Sequence, residues 1–335
     1  MLPRFFICKI VLLALLIPLM CGCRMTPPNI ASTEIASASP SAPESTRFRV
    51  IAYVTDAVVA SLIPYDQLTH INYAFLIPNE DGTFQSLLNT WMIGELVSQA
   101  HQHDVSVLVS VGGWGWDKQF ETMAADPALR TTFVQNLLKV VSQYQFDGVD
   151  MDWEYPHPGQ SSRNFLALMQ ELRAALPKDK LLTAAVAALG ENGAGIPNES
   201  FDLLDFVNIM AYDNSGPQHS SLDFAKSALD YWLGRGLPAG KATLGVPFYG
   251  RGTNAWQTEL SYARIVKDNP TAAQVDTTTS NGIQVNYNGI PTIQAKTRLA
   301  MQRASGIMFW TLENDASGDL SLLNAIHQVV VDTGK

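Results

Sequence analysis

The sequence predicts a (β/α)8 barrel, on three observations. Eight runs rich enough in apolar residues to be strands recur along the chain. Most are continuously hydrophobic, as parallel strands covered on both faces are. Amphipathic helical stretches lie between many of them, and the alternation fills about 290 residues, a length that suits one barrel. A doubly wound open sheet is the competing arrangement, but no Gly-rich phosphate turn supports it.

The strands are expected at Arg49–Thr55, His70–Phe75, Val105–Val111, Gly148–Trp153, Leu181–Ala188, Phe206–Tyr212, Ala242–Val246 and Gly306–Trp310. Helical periodicity covers Thr90–His103 and Pro127–Gln145 before the third and fourth strands. It covers Ser161–Leu176 after the fourth, Leu222–Arg235 before the seventh, and Leu320–Val331 at the end. Between the last two strands, Gly252 to Ser305 must also hold a helix over Thr292–Arg303. About 40 residues then remain.

Of 335 residues, 47% are hydrophobic and 16% charged, enough for a large core. The net charge of -9 argues against a nucleic-acid partner. Cys8, Cys21 and Cys23 are the only cysteines, so the remainder has neither a disulfide framework nor a thiolate metal site. The six histidines show no ligand spacing, and neither a catalytic metal nor a cofactor is expected.

Arg4 and Lys9 precede an apolar run from Ile10 to Met20. That reads as an export signal over 1–23, too short to span a membrane comfortably. Gly22-Cys23 after Leu19 and Met20 resembles a bacterial lipoprotein cleavage box, with Cys23 as the lipidated residue and Cys21 as a departure from the pattern. A plain signal peptide cut near Cys23 is the alternative. Residues 24–46, rich in Pro, Ser, Ala and Thr, read as a flexible tether, leaving 47–335 as the catalytic barrel. The protein is expected outside the cytoplasm, lipid-anchored or secreted. The lipid is its only expected membrane contact, and a monomer is expected.

Chemistry concentrates in Phe146-Asp147-Gly148-Val149-Asp150-Met151-Asp152-Trp153-Glu154-Tyr155-Pro156, where four acids fall within eight residues. In a strand, Asp150, Asp152 and Glu154 share one face, and Val149, Met151 and Trp153 the other. The Cα atoms of Asp152 and Glu154 then lie about 6.5–7 Å apart. Carboxyls that close cannot all ionise cheaply, so at least one pKa must rise, as acid–base chemistry requires. A solvated acidic face is not interleaved with Val, Met and Trp. A calcium loop fails too, because counting from Asp150 puts Tyr155 where Gly is needed and Ser161 where Glu is needed.

Asp147-x-x-Asp150-x-Asp152-x-Glu154, followed by Tyr155-Pro156, resembles the signature of glycoside hydrolase family 18, the chitinase family. Ser110-Val111-Gly112-Gly113-Trp114, Asn72-Tyr73-Ala74-Phe75 and Met210-Ala211-Tyr212-Asp213 agree as well. So do Val246-Pro247-Phe248-Tyr249-Gly250-Arg251 and Gly306-Ile307-Met308-Phe309-Trp310. The ordered set covers Phe48 to about Val331.

The resemblance implies a retaining mechanism in which the substrate's 2-acetamido group is the nucleophile. Glu154 is then the acid and later the base. Asp152 orients the acetamido N–H and shares a proton with Asp150. Asp147 either supports the strand start or has a site role. Tyr212 and Asp213 complete the acetamido pocket, with Met210 lining it or simply packing. Trp310 is the expected floor under the sugar, and Trp114 stacks on the leaving-group side. Tyr53 and Arg251 add hydrogen bonds, or else serve structure alone. Phe75, Gly113 and Tyr155 are further expected contacts, with Gly112 and Gly113 allowing a sharp turn or a close approach of sugar. Trp116, Trp256 and His157 are cleft-liner candidates.

Many processive members of the family insert a small α+β domain after the seventh strand. The stretch available here is too short for a full one, which implies an open, shallow groove that favours endo cleavage or short oligomers. Three readings follow: a chitinase acting on chitin or N-acetylglucosamine oligomers, an endo-β-N-acetylglucosaminidase acting on peptidoglycan or N-glycans, and a non-catalytic lectin. A present Glu154 counts against the last.

Overall fold

The computed structural model of the chain describes residues 47–216 and 218–334. The expected signal over 1–23, Cys23 and the whole tether over 24–46 lie outside the described residues. Among the described residues, no helix is long and apolar enough to cross a membrane.

Eight parallel strands close a barrel: β1 (Arg49–Val54), β2 (His70–Leu76), β3 (Ser106–Gly113), β4 (Gly148–Trp153), β5 (Leu181–Ala187), β6 (Phe206–Met210), β7 (Ala242–Pro247) and β12 (Gly306–Trp310). β12 sits between β7 and β1, so the chain's last strand seals the ring. Around it run α1 (Thr90–Gln102), α2 (Asp117–Ala125), α3 (Pro127–Tyr144), α4 (Gln160–Ala175), the short α5 (Gly190–Ala194) and α6 (Leu222–Gly234). After these come α7 (Tyr262–Asp268), α8 (Ile290–Arg303) and α9 (Leu322–Asp332).

The helices begin where the chemistry allows. Asp126 caps α3, accepting hydrogen bonds from the N–H of Ala128 at 2.7 Å and Leu129 at 3.3 Å, with Pro127 in the first turn. Ser221 and Ser321 cap α6 and α9 in the same way. Outward-facing strand residues and the inner faces of the helices form the large core. A smaller cluster fills the barrel itself, including Ile51, Tyr53, Phe206, Met210 and Met308.

Two expectations needed adjustment. β6 ends at Met210 rather than Tyr212, because Asp213 takes a left-handed φ of 57° and the chain leaves the ladder. The stretch after β7 is more ordered than its weak periodicity suggested. β8 (Tyr249–Gly252), β9 (Ala255–Ser261), β10 (Thr277–Ser280) and β11 (Ile283–Asn286) form a small antiparallel sheet. With α7 it is an insertion of modest size, in keeping with the length argument.

Candidate active site

The two faces of β4 are separated as the alternation requires. Outside, Trp153 stacks on Phe120 at 5.1 Å with 12° between the planes, and its indole N–H donates to Asp117 at 2.8 Å. Inside lie Asp150 and Asp152, both buried. Asp147 is at the opposite end of the strand. Its Oδ2 accepts from the Val107 N–H at 2.8 Å and lies 2.8 Å from His101 Nε2. It ties β4 to β3 and stands apart from the inward acids.

Asp150 is fully satisfied. Oδ1 accepts from the Thr183 hydroxyl at 2.5 Å and the Asn208 amide at 3.1 Å. Oδ2 accepts from the hydroxyls of Tyr53 at 2.6 Å and Ser110 at 3.0 Å. Burial lifts its pKa, and these donors pull against the lift. None of the four bonds comes from Asp152, whose Oδ1 is buried without a partner. Asp152 is driven well above the ordinary carboxylate range by burial, then by the neighbouring charges of Glu154 and Asp150. Burial favours the neutral form of both acids, more strongly for Asp152, and the four donors to Asp150 favour its charged form.

Glu154 lies just past the end of β4, at the barrel mouth. Burial raises its pKa to about 7, a hydrogen bond from Tyr155 opposes this, and the charge of Asp213 adds to it. It is thus poised between proton donor and acceptor near neutral pH.

The rim beyond β6, two strands around the ring from β4, is built around Asp213. Arg251 on β8 grips it with two parallel bonds, Nε to Oδ1 and Nη2 to Oδ2, both 3.0 Å. His219 Nδ1 lies 3.3 Å from the same carboxylate. Burial alone would raise this acid, but the bonds from His219 and Arg251 overcome it and hold Asp213 well below the usual range. Arg251 also pairs with Glu259 at 2.7 Å and lies over the rings of Tyr249 at 5.0 Å and Trp256 at 5.2 Å. Tyr212 precedes Asp213, and burial with the nearby acids Asp152 and Glu154 keeps its hydroxyl protonated.

The floor is aromatic. Trp310 stacks on Phe75 at 5.3 Å and 19°, and is tilted against Tyr53 at 5.7 Å. Gly113 has φ 88°, and a Cβ there would lie 2.7 Å from the Phe75 ring. At Gly112 a Cβ would lie 2.4 Å from the backbone oxygen of Asp152. Both glycines thus serve close packing within the protein. Met210 belongs to the inner cluster with Tyr53 and Met308, against which Tyr212, Tyr155 and Trp310 pack. Trp114 stands free at 77% exposure, 6.3 Å from the Tyr155 ring.

Sequence reasoning missed Ser110, Thr183 and Asn208 as partners of Asp150, and Tyr249, His219 and Glu259 as partners around Asp213 and Arg251. Ser110 and Tyr249 stood inside quoted motifs. Thr183 and Asn208 carried a signal as polar residues in strands that otherwise read as apolar. Among the described residues, no group of three or more His, Cys, Asp or Glu could hold a metal.

Comparison with known proteins fits this constellation. The family model for glycosyl hydrolases family 18 matches residues 49–315. The chain belongs to that family. It is 25% identical over 338 residues to Chitinase 1 of Aphanocladium album, covering 79% of this chain and 80% of that protein. A probable endochitinase of Caenorhabditis elegans is 32% identical over 237 residues, but the match spans only 38% of it. Among solved structures, the GH18 chitinase ChiB of Flavobacterium johnsoniae is 31% identical with a TM-score of 0.74, covering 86% of this chain and 95% of that one. A family 18 enzyme of this type is a glycosidase.

Proposed function

We propose that this glycosidase cleaves β-1,4 bonds in chitin or N-acetylglucosamine oligomers with retention, the substrate's own 2-acetamido oxygen attacking the anomeric carbon. The carrying observation is the state of the carboxylates. A two-carboxylate retaining enzyme needs an ionised, free nucleophile beside its acid. Burial and the neighbouring acids push the Asp152 carboxyl toward its neutral form, Asp150 is saturated by four donors, and Asp213 is clamped by Arg251. Glu154 alone is poised to exchange a proton near neutral pH.

In this reading Glu154 gives its proton to the glycosidic oxygen while the acetamido oxygen closes an oxazolinium ring. Asp152 receives the acetamido N–H, and the Tyr212 hydroxyl donates to the acetamido oxygen. Glu154, now a carboxylate, takes a proton from water, which opens the ring with retention. Trp310 carries the apolar face of the sugar. The small insertion supports an open groove and endo cleavage. The N-terminal pattern supports export with a lipid on Cys23, which loss of lipid labelling in Cys23→Ser would test.

Product analysis on chitin oligomers, peptidoglycan and a high-mannose glycopeptide decides the substrate. β-Anomeric products from chitin oligomers, lost in Glu154→Gln, are expected. Unchanged activity in Glu154→Gln would sink the mechanism, and cleavage of glycopeptide alone would sink the chitin assignment.

A further inference from the structure

Lys296 is wholly buried, on the inward stripe of α8 with Ile293, Thr297 and Ala300. Its ammonium has three donors. They go to the Ser220 carbonyl at 2.6 Å, the Ser220 hydroxyl at 2.7 Å and the Asn288 side-chain oxygen at 2.6 Å. All three acceptors are neutral. Burial draws the pKa down to about 7, and the more distant carboxylate of Asp276 pulls it partly back. A buried cation without a paired anion is a poor source of stability, since apolar replacements of buried ionic groups are often neutral or better. Its acceptors suggest another reason for its presence.

Ser220 closes a loop. Its hydroxyl donates to the Ala211 carbonyl at 2.6 Å, joining the two ends of the segment that carries Tyr212 and Asp213. Asn288 donates to the Ser220 carbonyl at 2.8 Å, so α8 and its preceding turn grip the same residue. The neighbouring His219 is buried, lies 3.3 Å from Asp213 and accepts from the Asn214 N–H at 2.9 Å through its carbonyl. One ammonium therefore holds the residue at which the segment returns on itself.

We propose that Lys296 is a positioning residue that closes the 211–220 loop and so sets Tyr212 and Asp213 against Glu154. The role in catalysis rests on Glu154 being the acid. A lysine that merely fills a polar hole would stabilise the fold evenly. A positioning lysine changes this loop, and through it the proton affinity of Glu154.

Two variants of the full chain separate these. Lys296→Met keeps the bulk and removes the ammonium. Ser220→Ala removes only the loop-side hydroxyl, and decides alone if the first does not fold. Amide hydrogen exchange is read over 211–221 and over the strands, and the pH profile of kcat/KM is taken on chitotetraose.

The expected result is exchange at least about tenfold faster in 211–221, with the strands unchanged. The alkaline limb should move to lower pH, because Asp213 and burial both raise the Glu154 pKa. The fall in kcat should exceed any rise in KM. Unchanged loop exchange with an unmoved limb overturns the proposal, as does faster exchange spread evenly over the strands. If wild type and Glu154→Gln behave alike on chitotetraose, the catalytic reading fails, and the exchange arm still decides whether Lys296 closes the loop.

Discussion

Two limbs of the site hold carboxylates in opposite ways. On β4 and just past its end, Asp150, Asp152 and Glu154 lie among hydroxyls, an amide and one another. On the rim beyond β6, Asp213 faces Arg251 and His219. The first limb therefore raises the pKa of Asp152 and Glu154, and the second lowers that of Asp213. The fixed anion of Asp213 also helps keep the proton on Glu154, so the limbs are coupled across the cleft. The difference teaches that burial alone does not decide protonation; the sign of the nearest partners does.

The largest blow to this contrast is removal of the mobile proton. Glu154→Gln should lower kcat on chitotetraose by roughly 10²–10⁴-fold, measured by product release, with oligosaccharide binding retained.

The same substitution should have the reverse effect on stability. A buried acid whose folded pKa is about 7, against an ordinary 4.5, contributes stability below pH 4.5 that is lost as pH rises through 7. Melting temperature should therefore fall across that window in wild type and fall less in Glu154→Gln. Parallel curves would show that Glu154 is not held protonated.

Arg251→Met tests the charged limb. Without its guanidinium, Asp213 loses both parallel bonds, each worth about 1.5–3 kcal/mol when a charge is involved. Its carboxyl should regain an ordinary or raised pKa. The stability of wild type that Asp213 supplies is present above ordinary carboxylate pKa values and is lost only as pH falls through its lower folded pKa. Acid unfolding followed by circular dichroism should thus begin at higher pH in the variant.

The smallest expected effect is at Trp114. As an exposed platform it should contribute on the order of 0.5–1.5 kcal/mol of stacking. Trp114→Ala should raise KM for longer oligomers by roughly 2- to 10-fold, with little change in kcat.

Much of the barrel was legible because its strands are buried on both faces, which writes uninterrupted apolar runs into the chain. Gly148–Trp153 and Gly306–Trp310 fell on the observed bounds. The acids of β4 stood out for the same reason, as polar residues in such a run. The pairing of Ser110, Thr183 and Asn208 with Asp150 did not, because they come from three other strands and meet it only when the ring closes. The sheet after β7 was illegible for a different reason. Its strands are short, and many of its residues are solvent-facing, so no period-two signal rises above the background. Lys296 was readable in principle. It falls three residues after Ile293, on the apolar stripe of its helix, where a lysine is out of place.

Glu154 lies beyond the last hydrogen-bonded pair of its strand, which on the β3 side is Gly113 with Trp153. The ladder, the outward Trp153 stack and the Asp147 tie all lie elsewhere on β4. A single base change at that codon could therefore silence the chemistry while leaving the folding pattern and the aromatic floor in place. For a lineage drifting between degrading a glycan and merely sensing it, the distance is one mutation.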